Sequence, residues 1–127
     1  MINFLARLVV FVRGLYTTPE DHRDPYLWAL VAMGHRSLGE VASAGVWELT
    51  HSLNLSVLIP AAIYAFLWEL PQVRAGGKRG DGMVDICAFW CGCLSAGGSM
   101  AGMPLVYWLA VGAFLALLFR GMDRRLP

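Results

Sequence analysis

From Leu53 onward the chain consists of apolar stretches about as long as a bilayer is thick, joined by connections too short to form a separate layer. Residues 53–70, 83–102 and 104–120 each approach the roughly 20 residues that a helix needs to cross the hydrocarbon. Upstream, residues 26–49 form a fourth stretch of sufficient length, interrupted by the polar run GHRSLGE. In lipid the backbone must satisfy its own hydrogen bonds, so such stretches fold as helices. The chain therefore reads as an all-α polytopic membrane bundle, a single domain spanning residues 1–127.

Composition agrees. Hydrophobic residues make up 57% of the chain and charged residues 15%, where a soluble domain carries about 25%. Mean hydropathy is +0.56. Residues 1–16, MINFLARLVVFVRGLY, are too short to span. On a helical wheel Phe4, Leu5, Leu8, Val9, Phe11, Val12, Leu15 and Tyr16 share a face opposite Arg7 and Arg13, the pattern of an interfacial amphipathic helix. A signal peptide would lack the mid-segment Arg13 and would carry a small-x-small cleavage site. Pro60 is expected to kink the second span; Pro71 and Gly76-Gly77 should end it. The third and fourth spans must form a tight hairpin.

Nine of the ten Lys and Arg residues fall at alternate connections: Arg7, Arg13 and Arg23; Arg74, Lys78 and Arg79; Arg120, Arg124 and Arg125. Lys and Arg mark cytoplasmic loops. Four spans in a bacterial inner membrane, with both termini cytoplasmic and residues 71–82 as a cytoplasmic charged loop, place all nine on one side. A net charge of +1 and the absence of any nucleic-acid motif exclude nucleic acid as a partner. Membrane lipids are the expected surroundings.

Polar residues inside the spans are costly and therefore informative. His35, Arg36, Gly39, Glu40, Ala42 and Ser43 share one wedge of the first span, with Arg36 and Glu40 at ion-pair spacing. They read either as a paired structural set or as a polar site. GHRSLGE fails as an esterase nucleophile elbow, because Gly34 lies three residues before Ser37 and no strand precedes it. Glu69 ends the second span, where the helix dipole disfavours an acid. Arg74, Lys78 and Arg79 are within reach of it. Asp81 and Asp85 open the third span, where the dipole favours acids, and Asp81 also reads as an N-cap.

In the third span Ala88, Gly92, Ser95, Ser99 and Gly102 form a small-residue stripe, a helix-packing seam for this chain or another copy. Cys87, Cys91 and Cys93 lack a CxxC pair and a neighbouring His, so they read as reduced, buried thiols. No metal set, cofactor motif or complete catalytic constellation is present.

Glu69-x-x-Gln72, followed by Arg79, Asp81, Asp85 and Gly92, resembles the signature of the VanZ-like membrane proteins, with His35 matching a His on an earlier helix. The likeness covers roughly residues 24–95 and extends to short, diverged members of phage or prophage type. Two positions depart from the pattern: Phe89 stands where the family has Asn, and Ala32 where it often has Lys. The resemblance implies a cell-envelope role connected with susceptibility to the glycopeptide teicoplanin, and no particular reaction. It implies that His35, Arg36, Glu40, Glu69, Gln72, Arg79, Asp81 and Asp85 line a polar pocket opening to the cytoplasm, in which Arg36 and Arg79 meet the phosphate of a lipid or cell-wall precursor headgroup.

Two other classes remain open at this level. A phage holin-type permeabiliser would use the small-residue seam to build a homo-oligomer. An accessory subunit or virion membrane component would turn the polar wedge and the seam toward partner polypeptides.

Overall fold

A computed structural model describes residues 6, 7, 9, 10, 24–76 and 79–125, with the side chains of residues 79 and 81 outside that description. The interfacial helix expected over residues 1–16 falls almost wholly outside it; residues 6, 7, 9 and 10 are helical. Four helices follow: α1 (Pro25–Thr50), α2 (Leu53–Arg74), α3 (Arg79–Met100) and α4 (Pro104–Asp123). No strand occurs among the described residues.

Local chemistry explains the boundaries. Asp24 caps α1, its carboxylate accepting from the N–H groups of Tyr26 at 2.8 Å and Leu27 at 3.3 Å, with Pro25 preset for the first turn. Ser52 caps α2 by accepting from the Leu55 N–H at 3.4 Å. Between α3 and α4 the Met103 N–H donates to the Gly98 carbonyl at 2.8 Å and the Gly102 N–H to that of Ser99 at 3.1 Å. This paired termination requires a left-handed residue, which Gly102 supplies at φ +66°. The hairpin is as tight as the missing linker demands.

One expectation changes. The second helix does not end at Leu70. It runs from Leu53 through a π turn, Ala65–Glu69, and on to Arg74. Pro71 has no N–H, and its ring presses on the carbonyl four residues back; the widened turn lies directly upstream, where the Leu70 N–H donates to Ala65 five residues behind it. The first helix is unbroken for 26 residues and GHRSLGE lies within it.

Among the described residues, three helices are long and apolar enough to cross a membrane: Leu53–Arg74, the Gly82–Met100 part of α3, and α4. The helix α1 is not among them, because it carries His35, Arg36, Glu40 and Glu48. It nevertheless packs on α2, α3 and α4. Its buried positions Trp28, Ala32, Gly39 and Ser43 recur every four to seven residues. Leu30, Met33 and Val41 point away from the bundle and are exposed.

The closest approach is between α1 and α3. A Cβ on Gly92 would fall on the backbone carbonyl of Arg36, and one on Gly39 on that of Phe89. Around this crossing the Ser43 hydroxyl donates to the Cys93 carbonyl at 3.1 Å, and the Cys93 thiol to the Gly39 carbonyl at 3.4 Å. At one end of the bundle the Trp28 ring of α1 lies against Gly121 of α4. Arg125 crosses that ring 4.6 Å from its centroid and donates to the Gly121 carbonyl at 2.8 Å.

The small-residue stripe is a seam for part of its length. Ala88, Gly92 and Ser95 are buried against α1, within the same chain. Ser99 is exposed and Gly102 sits in the turn, so neither packs. Gly97 and Gly98 take over instead. Gly97 lies against Leu53, Ser56 and Ser43, and Gly98 against Val106 and Tyr107, because the chain there must meet α2 and turn into α4. All three thiols are free, yet only Cys93 is buried; Cys91 is half-buried and Cys87 exposed on the outer face of α3.

Candidate functional site

Three helices each bring one ionisable side chain to a common point. His35 lies about one turn beyond Ala32 on α1, Glu69 closes the π turn of α2, and Asp85 lies in the second turn of α3. Nitrogen and oxygen atoms of all three lie within 4.8 Å of one another. His35 Nδ1 is 3.1 Å from Asp85 Oδ1. Glu69 is 3% exposed and Asp85 7%, so the carboxylates are shut away from the surroundings. Such groups are rarely buried unless paired or coordinating.

The π turn is what makes Glu69 a member. The Tyr64 hydroxyl donates a hydrogen bond to Glu69 Oε1. Residues five apart on an α-helix stand about 140° apart around its axis. The extra residue in a π turn brings them toward one face, and π turns of this kind recur at functional sites. Tyr64 is further fixed by its neighbours. Its ring stacks on Phe89 at 4.2 Å between centroids and 10° between planes, and meets the His35 ring edge-on at 5.7 Å. Gly82, in the first turn of the α3 span, leaves room for the carboxylate, since a Cβ there would stand 2.9 Å from Glu69 Oε2.

Arg36 and Glu40 belong to a different side of α1. Neighbours in sequence point about 100° apart on a helix, so His35 faces α2 and α3 while Arg36 faces α3 and α4. Arg36 pairs with Glu40 at 2.7 Å and lies over the Phe114 ring at 5.1 Å. Ser95 donates to Glu40 at 3.1 Å. The pocket expected to contain all eight residues is therefore divided: His35, Glu69 and Asp85 converge, and Arg36 with Glu40 forms a separate, partly exposed pair. Gln72 is half-buried in the last turn of α2. Arg79 opens α3 and Asp81 follows within its first turn, so Asp81 is not the N-cap. Their side chains lie outside the described structure.

Beside the cluster, α1 and α2 enclose an apolar groove of about 420 Å³ lined by Leu38, Ala42, Pro60, Leu67 and Trp68, with Tyr64 and Phe89 at its floor. Tyr64 thus touches both environments: its ring faces the groove and its hydroxyl holds Glu69.

Tyr64 and Gly82 were not legible as site residues. Tyr64 sits in an apolar run, five positions from its partner rather than three or four. Gly82 belongs to a loop-like GGKRGDG stretch whose glycines suggest turn chemistry. The two departures from the VanZ-like pattern both have structural roles. Phe89 supplies the ring on which Tyr64 stacks, and Ala32, 1% exposed, packs in the cluster of Trp28, Ala88 and Phe114, where a Lys has no room.

Comparison with protein-family models, with characterised proteins and with solved structures finds no match to this chain. The likeness to the VanZ-like proteins rests on the motif residues themselves.

Proposed function

We propose that this chain is a VanZ-like cell-envelope protein of the bacterial cytoplasmic membrane that holds a phosphate-bearing amphiphile, a lipid or a lipid-linked cell-wall precursor. Its headgroup sits at the cluster of His35, Glu69 and Asp85, and its chain lies in the groove beyond Tyr64. In this reading α1 is a fourth span. His35, Arg36 and Glu40 turn toward the neighbouring helices, Glu48 is exposed at the far end, and Leu30, Met33 and Val41 make the outward face apolar, as intramembrane charge requires. Both termini and the 74–79 connection are cytoplasmic, with Arg74 and Arg120 near that face. The cluster then lies about 8–15 Å inward along the helices, reached from the cytoplasmic side.

The observation that carries this reading is the convergence of His35, Glu69 and Asp85 from three helices into one buried point. A protein whose only task is to pack needs no such set. The seam that would serve a holin-type oligomer is occupied within the chain by the contact of Gly92 with α1, which weakens that alternative. The accessory-subunit reading loses the polar wedge for the same reason.

The test is teicoplanin susceptibility of a bacterium expressing the wild-type chain, Glu69→Gln or Asp85→Asn, with membrane potential followed by dye fluorescence. The reading predicts a susceptibility shift with wild type, none with either variant, and an intact potential throughout. Collapse of the potential by all three chains would establish a permeabiliser instead.

A further inference from the structure

The donors gathered at the cluster are one imidazole nitrogen and two carboxylates, each from a different helix. This is a metal-ligating set. Imidazole suits first-row transition ions and carboxylate the harder members of that series. Three protein ligands leave at least one position open on the ion. We propose that His35, Glu69 and Asp85 bind one divalent first-row transition ion of the Mn²⁺ or Zn²⁺ class.

Three observations support a built site. His35 Nδ1 and Asp85 Oδ1, 3.1 Å apart, already stand at a separation that two ligands of one ion adopt. With bonds of about 2.1 Å, ligands of a tetrahedral ion lie about 3.4 Å from each other, so only Glu69 has to draw in. The Tyr64 hydroxyl fixes one oxygen of Glu69 and leaves the other turned toward Gly82, as an outer partner orients a ligating carboxylate. The donors also come from helices that glycine contacts lock together, since Gly39 and Gly92 hold α1 on α3.

The ion gives the cluster a purpose that the side chains alone lack. Two carboxylates repel a phosphate, whereas an ion held by them with an open position attracts one of its oxygens. The inference rests on the headgroup reading above, and it names what in this site would meet the anion.

The test uses the full chain purified in detergent, stripped with a chelator and titrated with Mn²⁺ alone. Mn²⁺ is the probe because the thiols of Cys87 and Cys91 compete for Zn²⁺. Equilibrium dialysis should find about one ion per chain. Spin-echo modulation of bound Mn²⁺ should show a single histidine nitrogen. His35→Ala and Asp85→Asn should weaken binding by about 100-fold or more, and Tyr64→Phe by about tenfold, while Glu48→Gln, exposed at the far end of α1, leaves it unchanged. Should the first two variants fail to fold, the wild-type spectrum and Tyr64→Phe decide. Failure of the wild type to bind Mn²⁺, or bound Mn²⁺ without a histidine nitrogen, overturns the proposal. No lipid is present in this titration, so its failure removes the ion and the phosphate contact through it; retention of a phosphate-bearing lipid by the chelator-stripped chain would show that the headgroup is held without an ion. Loss of phospholipid binding by an ion-loaded chain would overturn the headgroup reading instead.

Discussion

The imidazole of His35 and the carboxylate of Asp85 meet at 3.1 Å across the contact between α1 and α3, in a part of the molecule where neither can be hydrated freely. That pairing depends on how closely the two helices approach. The approach depends in turn on two residues without side chains, Gly39 and Gly92.

Gly92→Ala and Gly39→Ala should therefore destabilise the bundle strongly. In each the new methyl falls on a backbone carbonyl, which cannot move aside as a flexible side chain would. Overpacking of this kind costs about 1–3 kcal/mol and sometimes more. Gly34→Ala and Gly45→Ala on the same helix meet open space and should be neutral or more stable by up to about 1 kcal/mol. Thermal unfolding in detergent separates the pairs, and equal melting of all four would show that α1 and α3 do not cross there.

Gly82→Ala has a different expected outcome. Its methyl meets the far end of Glu69 and the Val73 side chain, which can yield. The fold should survive with a melting temperature near that of the wild type while the Glu69 carboxylate leaves the cluster. Activity in the susceptibility assay should fall as it does in Glu69→Gln. Full activity in Gly82→Ala would mean that the position of Glu69 is immaterial.

Much of this could be read in the residues beforehand. The apolar lengths gave the helices, and the distribution of Arg and Lys gave a consistent orientation to propose. The inward turn of His35, Gly39 and Ser43 follows from helical periodicity. The split between His35 and Arg36 did not follow, because a wheel gives direction and not which neighbouring helix lies there. The π turn was hidden as well: Pro71 reads as a stop, and only the widened turn before it lets the helix continue and bring Tyr64 onto Glu69. The metal-ligating set escaped notice because its members stand at 35, 69 and 85, with none of the short spacings by which such sites are found in a chain.

The thiols offer a check that is independent of function. A maleimide should label Cys87 rapidly in detergent and leave Cys93 unreacted, since Cys93 is buried with its sulfur against the Gly39 carbonyl. Unfolding in denaturant should make Cys93 reactive. Labelling of Cys93 at the Cys87 rate in the folded protein would contradict the packing of α3 on α1.

At the end of the bundle where α1 begins, Arg125→Ala should loosen α4 from α1 by removing both its cover of the Trp28 ring and its bond to Gly121. A loss of about 0.5–2 kcal/mol is expected from the ring contact. Hydrogen exchange should rise in the last turn of α4 and the first turn of α1 and stay unchanged at the α3–α4 turn. Uniform exchange across the bundle would argue against this lock.

In the function proposed above, the buried cluster and the groove beside it form one site for an amphiphile. Native mass spectrometry of the detergent-purified chain with a phosphate-bearing polyprenyl lipid measures this directly. Wild type should retain one lipid, and Glu69→Gln, Asp85→Asn and a groove-filling Ala42→Phe should each lose it while remaining folded. Equal retention by wild type and all three variants would contradict the account.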